Sequence, residues 1–258
     1  MMLPAPPPSP YDLNLRLGGF DVRVSFTFWI GTVLFGFSLV QMMHRAMGAE
    51  SPGVIVLMLM MAIAMLATIA IHELGHAVAF RMFGVNSRIV LYHMGGLAIP
   101  ETRQELSPGR SLIVSAAGPA VQLVSAFVLA AVLNVAGYAT DGLSWINDDL
   151  DLWFNEDKGA LPIKLARAMV VFYVVPSVFW SLLNMVPVFP LDGGRVARSI
   201  TQLFGLPAVV WMAVGMIAGG GLAYWAFTGG QYFMAMLFGA LAMGNFQRFQ
   251  ASQQNPRT

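Results

Sequence analysis

Apolar residues run through this chain in six blocks, near residues 24–43, 54–80, 111–139, 166–187, 206–227 and 231–247. Each is close to or above the roughly 20 residues with which a helix crosses a hydrocarbon core. The second and third are long enough to imply tilt or extension beyond the lipid. Between them the pattern changes: Ser87 to Pro100 carries Ile89, Val90, Leu91 and Tyr92, then Gly95-Gly96, then Leu97, Ala98 and Ile99. That spacing suits a short β-hairpin. At membrane depth a hairpin must be buried in protein or line a wet cavity, because lipid cannot satisfy its backbone. Its free edge can receive an extended peptide as an added strand. An ordinary cytoplasmic loop is the alternative, since the alternation is imperfect.

Ahead of the first block, Pro4, Pro6, Pro7, Pro8 and Pro10 make residues 1–22 read as a disordered cytoplasmic arm, without the apolar core of a signal peptide. The expected fold is an all-α polytopic membrane protein. It has about six transmembrane helices over residues 23–247, a short membrane-associated β-hairpin between the second and third, and a cytoplasmic tail over 248–258.

Composition agrees: 57% of residues are apolar and 10% charged, against about a quarter charged in a soluble domain. The net charge of +1 and the scattered basic residues exclude a nucleic-acid-binding stripe. With no cysteine, disulfides and thiolate ligands are excluded, so any metal must be held by His, Asp or Glu.

Basic residues favour one side of the membrane. Arg16 and Arg23 precede the first block, Arg81, Arg88, Arg103 and Arg110 follow the second, Arg195 and Arg198 the fourth, and Arg248 and Arg257 the sixth. The other side has Arg45 and an acidic connection within 140–165, carrying Asp141, Asp148, Asp149, Asp151, Glu156 and Asp157 beside Lys158 and Lys164. Both termini therefore read as cytoplasmic. Trp145 and Trp153 in that connection suit the membrane surface.

The second block contains His72-Glu73-Leu74-Gly75-His76, ionisable groups where the bilayer makes them costly unless they do chemistry. On a helix, residues four apart share a face, so both imidazoles can meet one metal ion with Glu73 beside it. Zinc suits nitrogen ligands in a tetrahedral set with one position open to a water of lowered pKa, which Glu73 can deprotonate. The fourth block ends in Asn184-Met-Val-Pro187-Val-Phe-Pro190-Leu-Asp192-Gly193-Gly194-Arg195. Two prolines unwind the helix there, and Asp192 can turn inward as a third ligand. A plain Asp-Gly turn at a helix end is the simpler account of that dipeptide.

These motifs, with Ala117-Gly118-Pro119 in the third block, resemble the site-2 protease family of intramembrane zinc metalloproteases. The resemblance covers roughly residues 54–205. It implies one zinc ion per chain held by His72, His76 and Asp192, with Glu73 activating water against a peptide bond in or near a transmembrane segment. Asn184 matches the family asparagine that positions substrate or stabilises the oxyanion, and Gly95 and Gly96 match a glycine pair of the substrate-binding hairpin. Gly118 and Pro119 match a structural motif of the core. The implied partners are a transmembrane protein substrate, such as a membrane-tethered regulator, and the bilayer of a prokaryotic plasma membrane. The PDZ and CBS domains of many relatives are not expected in this chain. The oligomeric state stays open.

His93 can bind substrate backbone, supply an inhibitory metal ligand or simply face water. The methionines clustered at 58–65 suit gap filling better than copper binding. Gly219-Gly220-Gly221 suits either a flexible point or close helix packing. Two rivals use the same scaffold. One is an adaptor or chaperone that binds membrane helices without cutting them, which would have no need for Glu73. The other is a metal transporter, which would need further acidic or histidine sites through both leaflets.

Overall fold

A computed structural model describes residues 6–102, 104–135 and 161–254. Its elements, in chain order, are β1 (Leu13–Leu17), β2 (Phe20–Val24), α1 (Phe26–Met47), α2 (Val54–Met82), β3 (Ser87–Tyr92), β4 (Gly95–Pro100), α3 (Pro108–Val135), α4 (Leu161–Asn184), α5 (Asp192–Leu203), α6 (Val209–Thr228) and α7 (Tyr232–Gln254). The acidic connection with Trp145 and Trp153 falls largely outside the described residues. Its described end, Lys164, pairs with Glu50 at 2.7 Å and so ties the start of α4 to the α1–α2 connection.

Five helices among the described residues are long and apolar enough to cross a membrane: Phe26–Glu50, Val54–Met82, Pro108–Leu133, Lys164–Asn184 and Val209–Thr228. The chain is an integral membrane protein. The sixth predicted segment is also helical, within α7, but Asn245, Gln247, Arg248 and Gln250 make its second half too polar for that set.

Helix α2 organises the rest. Its apolar residues occupy every face, so the sequence pattern alone does not say which stripe is covered. In the fold, Leu57, Met61, Ala64, Met65, Thr68, Ile69, His72, Glu73 and His76 are buried. Their three- and four-residue spacing traces one face packed against α1, α3 and α4. Ile55, Leu59 and Ile63 stay exposed on the lipid side. Met61 fills the notch left by Gly36 of α1, as expected for a methionine used as gap filler. Where α2 crosses α3, Gly75 removes the side chain at the contact: a Cβ there would sit 2.7 Å from the Ala117 carbonyl oxygen and 3.0 Å from Gly118 Cα.

The predicted hairpin is present as β3 and β4, antiparallel from Ser87 opposite Pro100 to Tyr92 opposite Gly95. It belongs to a larger sheet than expected. Residues 13–24 are not part of a disordered arm: β1 and β2 form a second antiparallel hairpin, and β2 pairs in parallel with β3 through Val22 opposite Ile89, giving the order β1-β2-β3-β4. The turn between β1 and β2 is Gly18-Gly19, both at positive φ (56° and 79°), the two-residue geometry that matches strand twist. Arg81 at the end of α2 donates to the Gly18 and Gly19 carbonyls at 3.2 and 3.0 Å and stacks over the Phe20 ring at 3.6 Å.

Asp12 fastens the same region to α1. Its carboxylate accepts from the Phe26 and Ser9 backbone N–H groups, each at 3.0 Å, and from Arg23 at 3.0 Å. The Phe26 N–H, with Ser9 and Arg23, holds the Asp12 carboxyl below its ordinary value.

Gly219 approaches Ala242 of α7, where a Cβ would lie 3.1 Å from the alanine Cβ, whereas Gly220 and Gly221 face open space. Close packing therefore accounts for the first of the three glycines.

Candidate metal centre

His72 and His76, one turn apart on α2, bring their Nε2 atoms to 3.1 Å of each other. Asp192 Oδ2 lies 3.1 Å from His72 Nε2 and 3.2 Å from His76 Nε2. All three residues are buried, at 2%, 5% and 7% exposure, deep enough to shed bulk water. Asp192 reaches them because the chain leaves α4 at Asn184, turns through Pro187 and Pro190, and restarts as α5 with Asp192 as its first residue. The turn is tight enough to require the two glycines that follow. A Cβ on Gly193 would meet the Met185 carbonyl, and one on Gly194 would lie 2.6 Å from Phe189 Cα. The simple Asp-Gly turn is thus part of an arrangement that aims the carboxylate at α2.

The donor set fits a divalent metal. His76 Nδ1 is 2.7 Å from the Val114 carbonyl, which can only accept, so the ring proton is on Nδ1 and Nε2 presents a lone pair. That lone pair faces other acceptors, and only a proton or a cation between them removes the repulsion. Ligand atoms about 2.0–2.1 Å from a tetrahedral zinc stand about 3.3 Å apart, close to the 3.1–3.2 Å separations here. His72, His76 and Asp192 are the group of three metal-competent side chains found among the described residues.

Glu73 is 4% exposed and follows His72 on the same helix. Its carboxylate lies against β4 at Gly96, where a Cβ would fall 2.6 Å from Oε1. The glycine is therefore what lets the strand approach the acid. These groups line a cavity of ≈ 120 Å³, together with Tyr92, Leu97, Trp180, Asn184 and Arg195. Burial, with the Glu73 carboxylate nearby, pushes the Tyr92 phenol above its ordinary value, so the hydroxyl stays protonated.

Sequence-predicted residues divide into those brought together and those set apart. His72, Glu73, His76, Gly96, Asn184 and Asp192 share the cavity. Asn184 uses one amide hydrogen on its own helix, donating to the Trp180 carbonyl at 3.0 Å, and retains a second N–H. Gly95 lies outside the cavity lining; its φ of 108° sets the turn, and the Trp180 ring fills the space where a side chain would stand. His93 is exposed in the same turn, with its backbone against Gly31 of α1, 2.7 Å from Cα to a Cβ placed there. Gly118 packs under His76, where a Cβ would be 2.6 Å from Cε1.

Gln122 is a site residue that no sequence motif marks. It is fully buried, with Oε1 2.8 Å from His72 Nδ1. The available signal was an amide in the apolar run four residues after Gly118.

Residues 60–219 match the family model described as Peptidase family M50. Among curated proteins, the chain is 28% identical over 187 residues to the "Putative zinc metalloprotease Rip3" of Mycobacterium tuberculosis, covering 71% of this chain and 42% of that protein. It is 29% identical over 198 residues to the similarly named sll0528 of Synechocystis sp., covering 72% of this chain and 44% of that protein. It is 24% identical over 144 residues to zinc metalloprotease MJ0392 of Methanocaldococcus jannaschii, covering 54% of this chain and 33% of that protein. The chain thus spans less than half the length of these curated relatives. Among solved structures, the site-2 protease from Methanocaldococcus jannaschii superposes with a TM-score of 0.52 over 93% of this chain and 95% of that one, at 19% identity, which is a likeness of fold. With the family model covering most of its length and its two histidines and aspartate converging as described, this chain belongs to peptidase family M50.

Proposed function

We propose that the protein is an intramembrane zinc metalloprotease that hydrolyses peptide bonds in or near transmembrane segments of membrane proteins. The observation that carries this reading is the convergence of His72, His76 and Asp192 within hydrogen-bonding distance of one another, with Glu73 beside them, inside an otherwise apolar helix bundle. A buried set of this kind is costly unless it holds a cation and does chemistry.

In this reading His72, His76 and Asp192 hold the zinc. Zinc there supplies Lewis acidity, lowering the pKa of a water and polarising the scissile carbonyl. Glu73 takes a proton from the attacking water as its oxygen bonds to the carbonyl carbon, and returns a proton to the amine as the C–N bond breaks. Asn184 offers its second N–H to the developing oxyanion. Gly96 gives Glu73 room and lets an extended substrate backbone lie close beside β4. The apolar walls limit water to what the reaction needs, and a helical substrate must unwind locally to expose a carbonyl.

Membrane-tethered regulators are the substrate class suggested by the family resemblance. The basic connections support a reading with both termini on the cytoplasmic side and the metal near the inner end of α2, and the family resemblance suggests a prokaryotic plasma membrane.

The test is cleavage of a panel of single-span reporter proteins by purified protein in liposomes, before and after metal is stripped with a chelator. Cleavage that stops on stripping and returns with zinc is the expected result. Helix binding without cleavage under any metal condition would favour the adaptor reading instead.

A further inference from the structure

The rings of His72 and His76 are held differently. His76 Nδ1 donates to a backbone carbonyl of α3, which no substitution removes. His72 Nδ1 meets a side chain, Gln122 Oε1, at 2.8 Å. Which nitrogen of His72 carries the proton therefore depends on which way the Gln122 amide points.

The neighbouring hydrogen bonds decide that orientation. Ser177 Oγ donates its single proton to the Tyr173 carbonyl at 2.6 Å. In the contact between the Thr68 and Ser177 hydroxyls, Thr68 must then be the donor. The remaining lone pair of Thr68 Oγ1 can only accept, so the Gln122 atom that meets it at 2.9 Å is the amide nitrogen. The oxygen is thereby turned to His72 Nδ1 and to Ser181 Oγ, each at 2.8 Å. A carbonyl oxygen only accepts, so His72 carries its proton on Nδ1 and turns the Nε2 lone pair to His76 and Asp192. Gln122, Ser177 and Ser181 have no exposed surface, and neither does Thr68. No bulk water competes for these bonds.

We propose that Gln122 is a positioning residue that fixes the tautomer and ring orientation of His72 for metal binding, with Thr68 and Ser177 holding the Gln122 amide in place. The inference rests on His72 being a zinc ligand, as in the proposed function. Partners of this kind, outside the ligand set, change metal affinity by about 10–100-fold when removed.

The test compares wild type with Gln122→Met, Gln122→Glu and Thr68→Val, measuring zinc affinity by competition with a chromophoric chelator. The visible absorption of the cobalt-substituted protein reports ligand geometry independently of activity. Ser125→Ala serves as the control for a lost polar contact: Ser125 Oγ donates to the Gln122 backbone carbonyl and meets the Tyr173 hydroxyl, both at 2.7 Å, but bonds neither the Gln122 amide group nor His72.

Wild type should bind one zinc. Gln122→Met should bind about 10–100-fold more weakly with an altered cobalt spectrum, while Gln122→Glu, which keeps an acceptor for Nδ1–H, should stay within about threefold of wild type and Ser125→Ala should match it. Thr68→Val leaves the Gln122 amide nitrogen only its longer 3.4 Å contact to the Thr68 backbone carbonyl and should weaken binding by about three- to tenfold, which carries the test if Gln122→Met does not fold. Wild-type affinity in folded Gln122→Met or in Thr68→Val, or a Glu variant as weak as the Met variant, overturns the inference alone. A wild type that takes up no zinc overturns the proposed function along with it.

Discussion

Gly96→Ala tests how closely the sheet and the acid are fitted together. The added Cβ would lie 2.6 Å from Glu73 Oε1 and 2.7 Å from Cδ. The contact to Cδ is roughly 0.8 Å or more short of normal van der Waals separation. The strand cannot simply retreat, because Gly96 pairs with Leu91 one position in from the turn of the β3–β4 ladder and β3 is held on its other edge by β2. Glu73 must therefore change rotamer and carry its carboxylate away from the metal-facing position by about 1 Å. A displacement of that size costs on the order of a hundredfold in rate, or ~2.7 kcal/mol of transition-state stabilisation. The three atoms nearest the new methyl group all belong to Glu73 and none to His72, His76 or Asp192, so zinc content should not change. The assay is kcat/KM for a single-span reporter, with zinc per chain measured on the same preparation. Activity within about threefold of wild type would refute the reasoning on approach distance. A matched loss of zinc would refute the claim that the effect acts through Glu73.

Gly118→Ala places its Cβ 2.6 Å from His76 Cε1, while the ring is pinned to the Val114 carbonyl at 2.7 Å. Zinc affinity should fall about tenfold or more, in contrast to Gly96→Ala, and unchanged zinc binding would show that the ring has room to move. Asn245 is fully buried and donates to the Phe189 carbonyl at 2.9 Å, linking α7 to the turn that carries Asp192. Asn245→Ala strands that carbonyl and should cost about 1–3 kcal/mol, read as a lowered thermal midpoint; no measurable shift would contradict the contact. Asp12 has its carboxyl held below the ordinary value of 3.8 by the Phe26 and Ser9 N–H groups and Arg23. Its contribution to docking of the N-terminal hairpin is therefore full above that value and is lost as pH falls below it. Hydrogen exchange of β1 and β2 should show this acid dependence in wild type and not in Asp12→Asn; identical profiles would refute it.

The helices and the metal site were the most legible parts of the sequence, for separate physical reasons. Lipid demands long apolar segments, so the blocks that became α1 to α4 and α6 stand out whatever they pack against. The four-residue spacing of His72 and His76 carries their convergence within one helix. Asp192, at a distance of 120 residues from His72, was placed by chemistry and resemblance rather than by periodicity. The N-terminal hairpin was also written in the chain, as L-N-L-R-L and F-D-V-R-V flanking Gly18-Gly19. Its alternation and glycine turn signal a hairpin, while the nearby prolines point to disorder. The pairing partner β3 lies more than sixty residues further on, and that non-local contact is what makes the strands worthwhile. Gln122 was hidden because an amide has meaning only through its neighbours: Thr68 and Ser177, on two other helices, decide its orientation. The difference between Gly95 and Gly96 was likewise invisible in one dimension, since adjacent residues of a strand face opposite sides and only Gly96 turns to Glu73.

The most direct test measures zinc content and reporter cleavage together in wild type, Glu73→Gln and Asp192→Asn. The account predicts that Glu73→Gln keeps one zinc per chain and loses cleavage, because the ligands remain while the proton acceptor is gone, and that Asp192→Asn loses both. Glu73→Gln cutting at the wild-type rate, or Asp192→Asn retaining full zinc and activity, would contradict the assignment of proton transfer to Glu73 and of metal binding to the set completed by Asp192.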